Sequence, residues 1–147
     1  MHAAEFPWVA DQRLFHSLTR IERRPNLLVL CAGVRPANVI ESLQDWCRPP
    51  SQVCRLPGTL QFPASDRGTL LIENLTSMTL TQQIALGDWL DGKSGEPQIV
   101  SVSAASVWAA VQAGEFLEGL YYRLNTVVLE ATPQAALSGG AKEQRCR

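Results

Sequence analysis

Two kinds of hydrophobic pattern alternate along the chain. The first is a short run of consecutive apolar residues without polar alternation, seen most clearly in Leu27–Leu30 and Leu70–Ile72. Such runs are typical of strands buried on both faces, as in a parallel sheet covered by helices. We therefore predict five strands, at Asn26–Cys31, Ser51–Leu56, Thr69–Glu73, Gln98–Val102 and Thr126–Glu130.

The second pattern is the spacing of apolar residues between these runs, which is helical. Helices are predicted to begin at Asp11, at Pro36, at Ser77 or Thr79, at Ser103 or Ser106, and at Glu115. The predicted inward residues are Leu14, Phe15, Leu18 and Ile21; Val39, Ile40 and Leu43; Leu80, Ile84, Gly87 and Leu90; and Val107, Trp108 and Val111. Because strands and helices alternate, we predict an α/β three-layer sandwich around a mostly parallel five-stranded sheet.

The composition changes at both ends of this alternating region. Residues 1–10 have no clear periodicity, and beyond residue 131 the chain is rich in alanine, glycine, serine and charged residues. We therefore predict an N-terminal lead over residues 1–10, one α/β domain over residues 11–131 and a disordered tail over residues 132–147.

Charge and composition restrict the kinds of partner. The chain has 147 residues and a formal net charge of −1, with 46% hydrophobic and 18% charged residues. A nearly neutral chain has no general attraction to nucleic acid or to an anionic membrane. The longest apolar run is far shorter than the ~20 residues that span a bilayer, and no leader precedes it. We therefore expect a cytoplasmic protein that neither binds DNA directly nor enters a membrane.

The four cysteines are interpreted as reduced structural thiols. They are Cys31, Cys47, Cys54 and Cys146, and their spacing is not that of zinc ligands. We expect no cofactor and no metal, with Glu73 as the only residue that could contribute a metal ligand.

Two segments are candidates for a ligand site. The predicted strand Thr69–Glu73 ends in an acid that is followed by Asn74, and parallel sheets place ligands at the carboxyl ends of their strands. The predicted strand Asn26–Cys31 is followed by a turn and a helix, which is the position of a phosphate-binding loop. Such a loop needs several glycines and a lysine. Gly33 is the only glycine there, and no lysine precedes Lys93.

Two motifs resemble the AAA+ ATPase core of sigma-54-dependent transcriptional activators, the bacterial enhancer-binding proteins. The segment 68–74 (GTLLIEN) is similar to the family's GTLFLDE, and the segment 114–125 (GEFLEGLYYRLN) is similar to its G-x-F-R-x-D-L-Y-Y-R-L-N. With the matching order of elements, the resemblance extends from about Leu14 to Leu129. It implies a P-loop NTPase-like sheet in which the five predicted strands lie in the order 5-1-4-3-2.

The resemblance also implies a degenerate nucleotide site. The family's phosphate loop aligns with residues 31–37, which puts Ala37 at the position of its lysine. The catalytic acid is replaced by an amide, which cannot accept a proton from water. The sensor asparagine aligns with Ala104. The residues of this degenerate site are Gly33, Arg35, Ala37, Glu73, Asn74 and Ala104.

Further parts of the family are missing from the sequence. Leu117 stands at the position of one of the two arginines that reach a neighbouring subunit, and Arg123 at the other. An arginine finger alone contributes ~10³-fold or more to phosphoryl transfer. The sigma-gripping GAFTGA loop and the helical lid have no counterpart, so the resemblance is to a truncated core. We expect a pseudo-ATPase.

We expect the chain to act in transcription regulation through contacts with a protein. The candidate surface consists of Phe116, Tyr121, Tyr122 and Arg123, and the partner is an active AAA+ activator or a second copy of the chain. Two alternatives stay open, namely residual ATP binding and a small-molecule sensor that uses the vacant crevice. For single residues, Glu73 and Asn74 can instead be a strand end that is solvated or bonded to local backbone, and Arg123 can pair with a nearby carboxylate.

Overall fold

A six-stranded sheet forms the centre of the computed structural model, which describes residues 8–9, 24–63, 67–92 and 97–133. Its strands are β1 (Trp8–Val9), β2 (Leu27–Cys31), β3 (Ser51–Arg55), β4 (Thr69–Glu73), β5 (Gln98–Ser103) and β6 (Val127–Pro133). The described helices are α1 (Pro36–Gln44), α2 (Leu80–Asp91), α3 (Val107–Gln112) and α4 (Glu118–Leu124), with a 3-10 turn over Leu75–Ser77.

Five strands run parallel in the order β6-β2-β5-β4-β3. This confirms the predicted α/β sheet, because the five predicted strands occupy the order that the resemblance implies. β1 has no counterpart among them. Trp8 and Val9 pair antiparallel with Pro133 and Thr132 at one edge of the sheet. A two-residue strand is too short to show any periodicity, so no pattern predicts it.

Both faces of the sheet are covered, which explains the consecutive apolar residues in its strands. Leu71 of β4 packs on one face in a cluster with Val39 of α1. Leu70 and Ile72 face the other way and pack with Leu86 of α2. All three strand residues are 0% exposed, as predicted for Leu71.

Local side chains determine where the helices begin. Thr79 caps α2 by accepting a hydrogen bond of 3.1 Å from the Gln82 N–H, and Gln82 accepts one of 3.0 Å from the Thr79 N–H in return. Ser106 caps α3 by accepting from the Ala109 N–H at 3.0 Å. Pro36 begins α1, as predicted. The sequence predicts these starts because caps depend on neighbouring residues alone.

The predicted inward sides of α2 and α3 are partly wrong. Leu80 and Ile84 are 57% and 50% exposed, whereas Gln83 and Leu86 are buried. Trp108 of α3, also predicted to face inward, is 39% exposed. Leu86 fills the space above the sheet, and the amide of Gln83 is satisfied by backbone groups, so the polar residue faces inward and two apolar ones face outward.

Several predictions concern residues outside the described part of the chain. The helix predicted from Asp11 belongs to this group, and so does the tail predicted over residues 132–147 except for its first two residues, which lie in β6. The domain boundaries therefore stay predictions. No helix among the described residues is both long enough and apolar enough to cross a membrane.

Candidate functional site

The candidate nucleotide residues follow strands that end at one edge of the sheet. Leu30 of β2 pairs with Ser103 of β5, and Glu73 of β4 pairs with Val102 of the same strand. The turn after β2, the residue after β4 and Ala104 after β5 therefore lie along the same carboxyl edge, where α/β proteins place their ligands.

The end of β6 contacts the turn after β2. The Ala32 N–H donates a hydrogen bond of 2.9 Å to the Ala131 carbonyl. Gly33 has a φ of 81°, and a Cβ on it would lie 3.2 Å from the ring of Pro133. A phosphate loop keeps its backbone N–H groups open for its ligand. Here one of these groups is already used within the chain, and a proline ring lies against the glycine.

Arg35 and Ala37 lie at the start of α1 without forming an anion site of their own. Arg35 precedes the helix, and its carbonyl accepts hydrogen bonds from Asn38 and Val39 at 3.0 and 3.3 Å. Its side chain is exposed. Ala37 is half-buried in the first turn and offers no charge to a phosphate.

Glu73 and Asn74 are both bound to the end of β3. Glu73 forms an ion pair with Arg55, the residue opposite it in the parallel register. The side chain of Glu73 is 13% exposed and that of Arg55 is 47% exposed. Asn74 is in the left-handed conformation, with a φ of 65°, and its side-chain amide donates to the Leu56 carbonyl at 2.9 Å. The backbone N–H of Asn74 donates a hydrogen bond of 2.9 Å to the Val102 carbonyl. Asn74 is therefore bonded to backbone, as the alternative interpretation predicted, whereas Glu73 is bonded to an arginine side chain.

The end of β5 is likewise bonded to its own loop. The Ser103 hydroxyl donates to the Ala105 carbonyl at 2.6 Å and accepts from the Ala105 N–H at 3.1 Å. Ala104, at the sensor position, is exposed and has no polar side-chain atom. The crevice thus contains polar groups that hydrogen-bond to one another across strand ends.

The second candidate site, the surface around α4, is only partly as predicted. Phe116 is 4% exposed and packs in the core, so it is not a surface residue. Tyr122 is 56% exposed, and Tyr121 is half-buried. The Tyr121 ring lies 5.3 Å from that of Tyr122 and 5.4 Å from that of Trp108, which forms an aromatic cluster. Trp108 therefore covers tyrosine rings instead of entering the core.

Arg123 pairs with a carboxylate of the same chain. Its Nη1 lies 2.7 Å from an Oδ1 of Asp91 on α2, with side-chain exposures of 42% and 71%. The Arg123 carbonyl accepts a hydrogen bond of 2.7 Å from the Asn26 side chain. The pairing predicted as the alternative for Arg123 is therefore present, and the guanidinium keeps an exposed side.

Sequence reasoning missed two residues that organise these surfaces. The Gln83 amide donates to the Met78 and Glu115 carbonyls at 3.1 and 3.0 Å and accepts from the Leu117 N–H at 2.8 Å. Nothing in the local pattern indicates this role. The role of Arg55 could have been predicted, because the implied strand order puts its strand beside the strand that ends in Glu73.

The described cysteines are buried thiols, as predicted. Burial raises the pKa of Cys31 to about 11 and that of Cys47 to about 12. The pKa of Cys54 is also raised by burial, and a hydrogen bond from the Gln61 backbone opposes this effect. Among the described residues no group of three or more His, Cys, Asp or Glu side chains could hold a metal.

The chain is similar in structure to NtrX from Brucella abortus. Neither the protein-family models nor the sequences of curated proteins give a match. The NtrX complex with ADP superposes with a TM-score of 0.62 and 15% identity over 82% of this chain, and the complex with ATP with 0.62, 14% and 82%. A third NtrX structure gives 0.57, 14% and 87%.

The likeness to NtrX covers only part of the NtrX chains and is low in sequence identity. The chain spans only 35%, 36% and 38% of the three NtrX chains. At such low identity the likeness concerns the fold and not the chemistry. The protein therefore has an AAA+/P-loop-like α/β fold, and the described residues include no helical lid.

Proposed function

We propose that the chain is a catalytically inactive AAA+-like module that acts in transcription regulation through protein–protein contacts. In this proposal it neither hydrolyses nor usefully binds nucleotide. The observation that carries the proposal is the state of the crevice, where the polar groups of the strand ends bond to one another.

Three features of the crevice support the loss of nucleotide binding. Arg55 supplies a positive charge to Glu73 at the position where a metal ion would have to compete for that carboxylate. Pro133 lies against Gly33, in the turn that aligns with the family's phosphate loop. Ala37 contributes no ammonium group to balance phosphate charge. The first feature opposes metal binding, the second opposes the approach of phosphate to the backbone, and the third leaves the phosphate charge unbalanced. Each would have to change before ATP turnover became possible.

The surface around α4 supports a role in protein contact. Tyr122 and Trp108 are exposed, and Tyr121 is half-buried between them and the core. Arg123 follows Tyr122 along α4. Tyrosine, tryptophan and arginine are enriched at the energetically important centres of protein interfaces. The resemblance implies that this face meets the next subunit of a ring, so the partner we propose is an active AAA+ activator. A protomer without nucleotide chemistry would stall such a ring.

A nucleotide titration tests the first half of the proposal. A ligand present at 100 times its Kd stabilises a protein by about 2.7 kcal/mol, which is a measurable shift in melting temperature. We expect millimolar Mg-ATP to leave the melting temperature unchanged. A rise that disappears in Glu73→Gln would overturn the proposal in favour of residual ATP binding.

A mixing experiment tests the second half. The chain is added to an active AAA+ activator from the same cell, and ATP turnover of the mixture is measured. We expect inhibition that is lost in Tyr122→Ala and in Arg123→Ala and retained in Val128→Ala, a control at an exposed apolar residue of β6. Asp91→Asn releases Arg123 from its ion pair and should strengthen the inhibition. The absence of any binding would exclude this partner.

A further inference from the structure

An open apolar groove lies between α2 and α4, on the side of α4 that carries Arg123. Its volume is about 340 Å³, and Ile84 and Leu117 are among its lining residues. These two side chains are 50% and 38% exposed. A pocket for a small molecule encloses most of its ligand. A groove whose apolar walls are this exposed suits a longer element that lies along it.

Two glycines line the groove without any backbone reason to be glycine. Gly87 lies in α2 and Gly119 in α4, and the described glycines with positive φ are Gly33 and Gly114. A Cβ at Gly87 or Gly119 would meet nothing within 4 Å. Glycine inside a helix lowers stability relative to alanine. Their effect here is to leave the two helix backbones open to close approach from outside.

The charges around the groove have an acidic excess. The lining charged residues are Asp88, Asp91 and Arg123. Asp91 and Arg123 form an ion pair with each other. Among the described residues, Asp88 has no cationic partner. A complementary partner therefore has apolar side chains for the groove and a positive charge facing Asp88.

We propose that this groove binds a basic amphipathic helix of a partner protein. The apolar side chains of that helix would lie between Ile84 and Leu117, its backbone would approach Gly87, and a lysine or arginine would face Asp88. Helices pack by placing side-chain ridges into the groove of neighbouring helices, and apolar helix-in-groove binding uses residues at i, i+3, i+4 and i+7. The inference rests on the proposed protein-contact function and names the chemistry of one partner.

Synthetic helical peptides test the proposal with the full chain. The probe is a fluorescently labelled, leucine- and alanine-rich peptide of ~20 residues, long enough to form a helix, with lysines flanking one apolar stripe. A second peptide carries glutamate for lysine, and a third carries serine for leucine. Fluorescence anisotropy gives each Kd. We expect the lysine peptide to bind at least tenfold more tightly than either of the others.

Two variants locate the binding. Gly87→Leu fills the groove and should weaken binding of the lysine peptide at least tenfold, while Gln44→Leu places the same side chain on α1 across the sheet and should have no effect. Asp88→Lys, an exposed change that does not depend on tolerance of a larger residue at Gly87, should reverse the preference towards the glutamate peptide. Melting temperatures confirm that each variant is folded.

Four results would overturn the proposal. They are the absence of binding, equal binding of all peptides, binding unaffected by both variants, and a homodimer in sedimentation that Gly87→Leu dissociates, since a second copy would then occupy the groove. If the lysine peptide does not bind but the chain still inhibits ATP turnover by an active AAA+ activator, the helix-binding groove is rejected and the proposed function is retained.

Discussion

Gln83 is a polar residue whose burial follows from the partners that surround it. One side-chain amide connects the start of α2, through the Met78 carbonyl, to the segment that leads into α4. That segment contains Phe116 and Leu117, so Gln83 links the connection before α4 to the start of α2. A buried amide is tolerated only when its hydrogen bonds are made, which is the case here.

Removing this amide should destabilise the fold. Gln83→Leu keeps a similar size but leaves the buried Met78 carbonyl, the half-buried Glu115 carbonyl and the Leu117 N–H without their side-chain partner. Since each unsatisfied buried group costs ~1–3 kcal/mol, we expect the free energy of unfolding to fall by about 2 kcal/mol or more. Urea denaturation measures this change. Gln112→Leu, the same substitution at an exposed helix position, should change it by less than ~0.5 kcal/mol. Similar losses in both variants would contradict the role of Gln83.

The buried thiols make stability depend on alkaline pH. An ordinary thiol in the unfolded chain releases its proton near pH ~8.5. Folded Cys47, with a pKa of about 12, keeps its proton to higher pH. The unfolded state therefore binds fewer protons above pH ~8.5, and stability falls as the pH rises through this window towards the folded pKa.

Cys47→Ala should flatten this dependence. The variant is expected to be less stable at neutral pH, because it leaves a cavity, but its free energy of unfolding should fall less steeply between pH ~8.5 and pH ~10.5. The difference in slope can reach about 1.4 kcal/mol per pH unit for one group. Urea unfolding at both pH values provides the measurement. Equal slopes for the two proteins would show that Cys47 titrates alike in both states.

Residue-level predictions from the sequence succeeded where burial follows from the neighbours along the chain. Consecutive apolar residues such as Leu70 and Leu71 have no polar neighbour to occupy either face of the sheet, so both are buried. Leu80 and Ile84 show the opposite case. Helical spacing defines their common face, but whether that face is covered depends on distant segments that the local pattern does not contain.

The existence and type of the helices and strands were predicted correctly more often than the residues at which they begin, where tertiary hydrogen bonds use the backbone. The strands and their order agree with the sequence pattern and the implied topology. The helix predicted at Glu115–Arg123 instead spans Glu118–Leu124, because Glu115 belongs to the connection. Its N–H donates to Ala110 and its carbonyl accepts from Gln83, so backbone groups that would begin a helix are used elsewhere.

The start of α2 offers a prediction at the scale of an element. The reciprocal bonds between Thr79 and Gln82 satisfy two N–H groups at the helix start, and the Gln82 amide also donates to the Gly58 carbonyl at 2.7 Å. Thr79→Ala should therefore lower the free energy of unfolding by about 1 kcal/mol. Thr79→Ser keeps the hydroxyl and should be nearly unchanged. Thermal or urea unfolding distinguishes them, and an equal loss in both would exclude the cap as the cause.

At the scale of the whole molecule, the topology was predictable and the side-chain contacts at the crevice were not. The resemblance implies the order of the parallel strands and the positions of Gly33 and Glu73 at one edge. It contains no information on the approach of Pro133, since β6 extends beyond its predicted end at Glu130. It also does not state that Arg55 pairs with Glu73. Both features depend on side chains that meet only after the sheet has formed.

The predicted domain boundary can be tested by truncation. A chain that ends at Pro133 keeps every described element, and we expect it to unfold cooperatively near the melting temperature of the full chain. A chain that ends at Asn125 lacks β6 and leaves the β2 edge unpaired, so it should show no cooperative transition. Circular dichroism during heating measures both. Loss of folding in the longer truncation would place residues 134–147 inside the domain.

The pairing of β2 with β6 also has a consequence for how the chain is made. Leu27 lies opposite Val127, and Cys31 lies opposite Ala131, so one neighbour of β2 is translated only about 100 residues after β2 itself. Until β6 has left the ribosome, the apolar edge of β2 stays open to strands of other nascent chains. Pairings so distant in sequence also form slowly. Expression at low temperature, or with chaperones that hold unfinished chains, should therefore raise the soluble yield.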